Sequence, residues 1–275
     1  MRNHPLDIQP IAGSMGAEIF GFDLSNDLND DTFGEIHTAL LDHGALFFRD
    51  QNITPQEQLD FARRWGEIHF HPHMPCLDGY PGVIQIEKKE TDTVAFGGNW
   101  HTDQMFTGTP ARVTMLYAKE IPPAGGDTLF ANLYQAYDAL SDGMKAMIAD
   151  LRTVNQYDKK KKRPAAMTPT EMEIDAPEYE HPLVRAHTET GQKALYISSA
   201  GITRRIAGMT EEESRPILDY LLEHATRPEF VCRIRWNVGT LGLWDNRRAL
   251  HYPINDYNGY RRVMHRVTVV GEPTS

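Results

Sequence analysis

A chain of 275 residues, 40% hydrophobic and 24% charged, has an ordinary globular composition and enough length for one large core. A formal net charge of −10 argues against a nucleic-acid partner, and no run approaches the roughly 18 apolar residues of a membrane span. Two cysteines, Cys76 and Cys232, give no disulfide framework, and Met1 to Pro5 lacks the apolar run of a signal peptide, so a cytoplasmic setting is expected.

In chain order, Asn29 to His43 predicts an amphipathic helix with Ile36, Leu40 and Leu41 on one side. Thr54-Pro55 opens a second helix with a cap and a proline in its first turn, and Gly66 closes it. Val113 to Ala118 alternates as a strand. The run Lys159 to Arg163 is a basic stretch in an acidic chain; it reads either as a solvated loop or as part of a lid around 155–180 that draws in an anion. Thr210 and Glu213 form a capping box for a helix carrying Ile217, Leu218, Leu221 and Leu222, with Pro228 beyond its end. Val231 to Trp236, Leu241 to Trp244 and Arg261 to Val270 read as strands.

Two stretches carry chemistry. His101 and Asp103 sit two apart; on a strand their side chains share a face about 7 Å apart, so they could converge on one metal. His251 would complete a face of two histidines and one carboxylate, which leaves coordination positions open and suits Fe(II). His-x-Asp alone is a weak motif, and His101 reads equally as a strand histidine satisfied by Asp103 or a carbonyl. On the last strand, Arg262, Met264, Arg266 and Thr268 share one face and Val263, His265, Val267 and Val269 the other. The valine face belongs on a core. The arginine face sets two guanidinium groups roughly 13 Å apart, suited to two anionic groups or to ordinary solvated charge.

Taken together, these stretches resemble a family. The series Gly16-Ala17-Glu18-Ile19 with Asp23-Leu24, His43-Gly44 to Phe48-Arg49, Asn99-Trp100-His101-Thr102-Asp103, Gly125-Gly126-Asp127-Thr128, His181-Pro182-Leu183-Val184, Trp244-Asp245-Asn246-Arg247, His251-Tyr252 and Arg261-Arg262 to His265-Arg266 is similar, in order, to the taurine dioxygenase type of iron(II)- and 2-oxoglutarate-dependent dioxygenases. That group includes phenoxyacetate dioxygenases and alkylsulfatases. The resemblance runs from about Ile8 to Gly271. It implies a mainly β fold, a double-stranded β-helix of the jelly-roll or cupin kind buttressed by helices, in one domain over 1–275.

Residue by residue, the resemblance implies that His101, Asp103 and His251 ligate Fe(II). Thr128 and Arg262 would bind the far carboxylate of 2-oxoglutarate, and Arg266 would face the co-substrate's ligating end and the acidic group of the substrate. His71, allowing a one-residue length difference, matches a histidine that helps hold the substrate's sulfonate, beside the backbone N–H of Gln104. The implied reaction uses O2 and hydroxylates a small anionic, sulfonate-like substrate next to its acidic group, giving succinate and CO2; alkyl sulfates and aryloxyalkanoates are the alternatives within the family. A homo-oligomer, dimer or tetramer, is expected. Where taurine-using members carry an asparagine for the substrate amine, this chain has Gly97, so taurine fits poorly, and Phe96, Met74, Met105 and Phe106 could line a more apolar pocket. A non-catalytic metal-binding jelly roll is opposed by the complete set of ligands and arginines. A zinc hydrolase would leave Arg262 and Thr128 without a role.

Overall fold

The computed structural model describes residues 6–71, 74–157 and 177–274. Strands β1 (Asp7–Pro10) and β2 (Ala17–Phe20) precede helix α1 (Asp30–His43), strand β3 (Ala45–Phe48), helix α2 (Pro55–Arg63) and strands β4 (Cys76–Leu77) and β5 (Tyr80–Lys88). Strands β6 (Val113–Glu120) and β7 (Thr128–Asn132) lead to helices α3 (Leu133–Asp138) and α4 (Asp142–Ile148), followed by β8 (Arg152–Asn155), β9 (Tyr179–Pro182), β10 (Val184–Ala186), β11 (Lys193–Leu195) and β12 (Thr203–Ile206). The chain ends with α5 (Glu211–Ala225), β13 (Val231–Ile234), β14 (Leu241–Asp245), β15 (Ala249–Pro253) and β16 (Arg262–Val269). The basic run 159–163 and most of the expected lid lie outside the described residues.

The local signals behave as their chemistry requires. Asn29 caps α1 through Thr32 N, and Thr54–Glu57 and Thr210–Glu213 form reciprocal capping boxes. Gly44 ends α1 in the left-handed conformation at φ 73° and returns its N–H to Leu40 O. One boundary differs from the sequence reading: helix α2 stops at Arg63, ahead of Gly66. Helix α5 runs through Pro216 and ends at Ala225, ahead of Pro228, as expected.

A large sheet runs β1-β2-β3-β14-β6-β16-β5-β4, and a small one runs β13-β7-β15. Alternation along the large sheet builds its two faces. Leu46, Phe48, Val113, Met115, Tyr117, Leu241, Leu243, Val267 and Val269 pack outward against Ile36 and Leu40 of α1 and Leu59, Phe61 and Ala62 of α2. Phe47, Leu116, Ala118, Trp244 and Met264 point the other way and meet Phe130, Cys232, Ile234 and Ala249 of the small sheet. The outer face of the small sheet, with Ala131 and Leu250, is covered by α3, α5 and β11. Two sheets face to face, each backed by helices, are the helix-buttressed jelly roll that the sequence led us to expect. Inward positions that are not apolar include Lys88, Thr114, Thr128, Arg262, Arg266 and Thr268, all buried. Polar side chains inside a sandwich need partners or a ligand, and they mark where the chemistry sits.

Candidate metal centre and co-substrate cleft

His101 lies in the long connection between β5 and β6 and reaches β15 through one isolated bridge with His251, closed by backbone hydrogen bonds of 3.0 and 2.9 Å. The bridge brings the two rings to 4.0 Å between centroids. Asp103 does not continue a strand, as alternate-residue geometry had suggested. It opens a turn, and Gln104 just after it takes a left-handed φ of 55°. That turn folds the carboxylate back, so Asp103 Oδ1 lies 3.7 Å from His101 Nε2 and 3.9 Å from His251 Nε2. One ligand atom from each of the three residues falls within 4.8 Å of the others.

Their protonation suits a cation. His101 Nδ1–H donates to Asn99 O at 2.7 Å, which leaves Nε2 as the ring nitrogen that faces the centre. Burial, joined by the neighbouring His101, holds His251 well below the ordinary histidine range, so its ring is neutral. Burial would raise the Asp103 carboxyl, but Arg266, both histidines and the Thr114 hydroxyl outweigh it and hold the group far below the usual carboxylate range. A neutral His251 ring, the His101 ring and an ionised carboxylate, with open space beside them, are the donor set of a divalent metal site.

The open space is a cleft lined by the three ligands and by Ile86, Phe96, Gly97, Leu116, Thr128, Trp244, Pro253, Arg262 and Arg266. Both arginines enter it from β16, as alternation predicts. Arg266 reaches the centre, with Nη2 2.9 Å from Asp103 Oδ1 and Nε donating to Thr268 Oγ1 at 3.2 Å. Arg262 sits at the far end. It is buried, and its Nε and Nη2 have no hydrogen-bond acceptor among the described residues. Burial pulls its pKa down, partly offset by Tyr257. Thr128, paired with Ile234 and Pro253 in the small sheet, accepts a hydrogen bond from Trp236 Nε1 at 2.9 Å. Its hydroxyl proton is therefore free for a second partner. Lys88, directly opposite Arg262 on β5, is buried with Nζ over the Tyr257 ring at 4.5 Å.

Gly97 takes φ 77°, and a Cβ there would stand 3.0 Å from His101 Cε1. The glycine is thus demanded by the approach of the metal-facing ring, and this position carries no side chain. Phe96 lines the cleft, Met74 packs beside Ile84 at its edge, Met105 is fully buried beneath, and Phe106 packs on Tyr157 at 4.8 Å. His71 is half-buried, its ring 6.3 Å from that of His69. The histidine joined to Gln104 is His69, whose Nδ1 accepts from Gln104 Nε2 at 2.8 Å and which feels Arg266 and Asp103. Sequence reasoning passed over His69. The sequence reading chose His71, on the family resemblance, and did not weigh its neighbour two positions earlier.

The model of the taurine catabolism dioxygenase TauD, TfdA family matches residues 7–268. This chain belongs to that family. It is accordingly a dioxygenase that uses 2-oxoglutarate and O2 with a metal. Among its TauD, TfdA relatives, the alkylsulfatase of Acinetobacter baylyi is 35% identical over 98% of this chain and 86% of its own. The alpha-ketoglutarate-dependent sulfate ester dioxygenase of Pseudomonas putida is 35% identical over 97% of this chain and 90% of its own. A taurine dioxygenase structure from Burkholderia xenovorans aligns with a TM-score of 0.84 at 34% identity, covering 98% of this chain and 92% of that one.

Proposed function

We propose that this single-domain enzyme holds Fe(II) on His101, Asp103 and His251 and hydroxylates a small anionic substrate of the sulfonate or sulfate ester class at the carbon next to its acidic group. The observation that carries the reading is Arg262, a buried cation whose Nε and Nη2 have no acceptor among the described residues, in one cleft with the three convergent ligands. A five-carbon 2-oxo diacid spans such a cleft, its remote carboxylate accepting from Arg262 and from the Thr128 hydroxyl. Trp236 orients that hydroxyl, and Pro253 and Ile86 wall the acid in. Bound Fe(II) supplies oxidative decarboxylation of 2-oxoglutarate to succinate and CO2, coupled to insertion of one oxygen atom of O2 into a substrate C–H bond.

Arg266 sits beside the ligands and attracts the substrate's anionic head. Gln104 and His69 border the same region, with His71 next to them. Phe96, Leu116 and Ile86 favour an alkyl or aryl body over an ammonium group, and Gly97 offers such a group no acceptor. The same reading extends to a cytoplasmic homo-oligomer, supported by the family resemblance and by two cysteines that are both free.

A sulfate ester is favoured over a sulfonate by two relatives whose names specify sulfate ester chemistry. The products separate these cases. Hydroxylation beside a sulfate ester oxygen gives an aldehyde and sulfate; beside a sulfonate it gives an aldehyde and sulfite; beside an aryl ether it gives a phenol and an oxo acid. A screen of medium-chain alkyl sulfates, alkylsulfonates and aryloxyalkanoates should show substrate-dependent succinate release with sulfate from the first group. Succinate release with phenol alone would move the assignment to aryloxyalkanoates, and a well-folded, iron-loaded protein that makes no succinate with any of them would overturn it.

A further inference from the structure

Asp103 is held by a closed ring of hydrogen bonds. Its own N–H donates to Asn246 Oδ1 at 3.3 Å, Asn246 Nδ2 donates to Thr114 Oγ1 at 2.9 Å, and the Thr114 hydroxyl donates to Asp103 Oδ2 at 2.7 Å. Trp244 Nε1 donates to Asn246 Oδ1 at 3.1 Å and pins the amide, so its nitrogen must face Thr114. The threonine oxygen accepts from Asn246, and its single proton is donated to Asp103. All four groups are buried. The bonds come from three chain segments: the turn after His101, the interior face of β6, and the β14–β15 turn.

The ring acts on one carboxylate oxygen. Oδ2 is occupied by Thr114, while Oδ1 faces both histidine Nε2 atoms and Arg266. We propose that Thr114 and Asn246 are positioning residues that keep Asp103 a one-oxygen ligand and so preserve an open position on the metal. The inference rests on the metal reading above and adds a role for two residues that touch neither metal nor substrate. An aspartate without that restraint can rotate about its last torsion and offer both oxygens. The second oxygen would then take a place that 2-oxoglutarate or O2 requires.

The test uses the full chain loaded anaerobically with Co(II) as an optical probe and with Mn(II) for crystallography. Thr114→Val removes the hydroxyl and keeps the shape, and Thr114→Ser restores the donor. We expect wild type and Thr114→Ser to share one Co(II) d–d spectrum and one-oxygen ligation by Asp103. Thr114→Val should weaken metal binding about 10- to 100-fold, in the range for lost outer partners of metal ligands. Its spectrum should shift, and Asp103 should become bidentate in its Mn(II) crystal structure. Asn246→Ala should move the spectrum in the same direction. Should Thr114→Val fail to fold, Asn246→Ala with the same spectrum decides the case. A valine variant with wild-type affinity, spectrum and one-oxygen ligation would overturn the proposal alone. Loss of the metal signal in wild type, or its survival in a His101→Ala, His251→Ala double variant, would instead overturn the metal reading.

Discussion

Arg262 occupies a position that folding by itself does not favour. A guanidinium buried between two sheets has lost its hydration, and among the described residues two of its nitrogens have no acceptor in return. Lys88 stands across from it on the neighbouring strand, and like charges facing each other on one sheet face are repulsive. Such an arrangement is tolerated when a ligand supplies the missing anion. Replacing Arg262 by leucine should therefore have opposite effects on two quantities. The protein without 2-oxoglutarate should melt at the wild-type temperature or a little above it, because an uncompensated charge has gone. The 2-oxoglutarate-dependent rise in melting temperature should disappear, since truncating one partner of a buried charge pair costs about 2–5 kcal/mol, or 30-fold and upward in affinity. Thermal melts with and without 2-oxoglutarate measure both; a variant that keeps the ligand-induced rise would show that the remote carboxylate binds elsewhere.

At the level of elements, strand β14 links the core to the co-substrate. Gly242 lies between Phe47 and Leu116 in register, and a Cβ added to it would come 2.8 Å from Trp236 Cη2 and 2.9 Å from Phe47 Cε1. Trp236 is the residue that orients Thr128. Gly242→Ala should cost about 1–3 kcal/mol in overpacking. It should also raise the apparent Kd for 2-oxoglutarate through the displaced indole, while leaving the metal ligands untouched. Chemical denaturation and 2-oxoglutarate titration of the metal-loaded variant check the two halves separately, and an unchanged Kd would mean that Trp236 has room to shift without Thr128. The same elements show what was legible in the chain beforehand. The capping residues of α1, α2 and α5 act over three or four residues, so they could be read directly. So could the division of β16 into an arginine face and a valine face, because period-two alternation is local. The approach of His101 to His251 could not be read this way. It depends on a single bridge across 150 positions and on a left-handed Gln104, which no alternation rule anticipates. His69 stayed hidden for a similar reason, since only the fold decides which histidine of an alternating set meets Gln104. The ordered motifs covered that gap through resemblance, and Gly97 became intelligible only when the His101 ring was seen against it.

On the scale of the whole molecule, the polar interior sets a direction for acid stability. His181 seals the seam behind the site, its Nε2–H donating to Met105 O at 2.8 Å and its Nδ1 accepting from the Thr274 hydroxyl at 2.6 Å. That pattern requires the neutral ring. Burial is the largest influence and lowers its pKa from 6.5 to about 4, although the bond to Met105 opposes the shift. Burial lowers His69 and His265 as well. Above pH 6.5 these rings are neutral folded or unfolded, so their titration does not affect stability. Below it the unfolded chain takes up protons that the native state refuses, and stability falls with pH until the folded pKa is passed. For His181 the window is pH 6.5 to about 4, and the loss across it is on the order of 3 kcal/mol at 1.36 kcal/mol per unit. His181→Gln keeps an amide N–H for Met105 and removes the titration. With chelator present throughout, so that metal release does not enter, urea denaturation at successive pH values should give a shallower fall for the variant, by about one proton in the middle of the window. Equal slopes for the two proteins would place the acid sensitivity in His69, His265 and the ligand histidines, and would leave His181 a purely packing role.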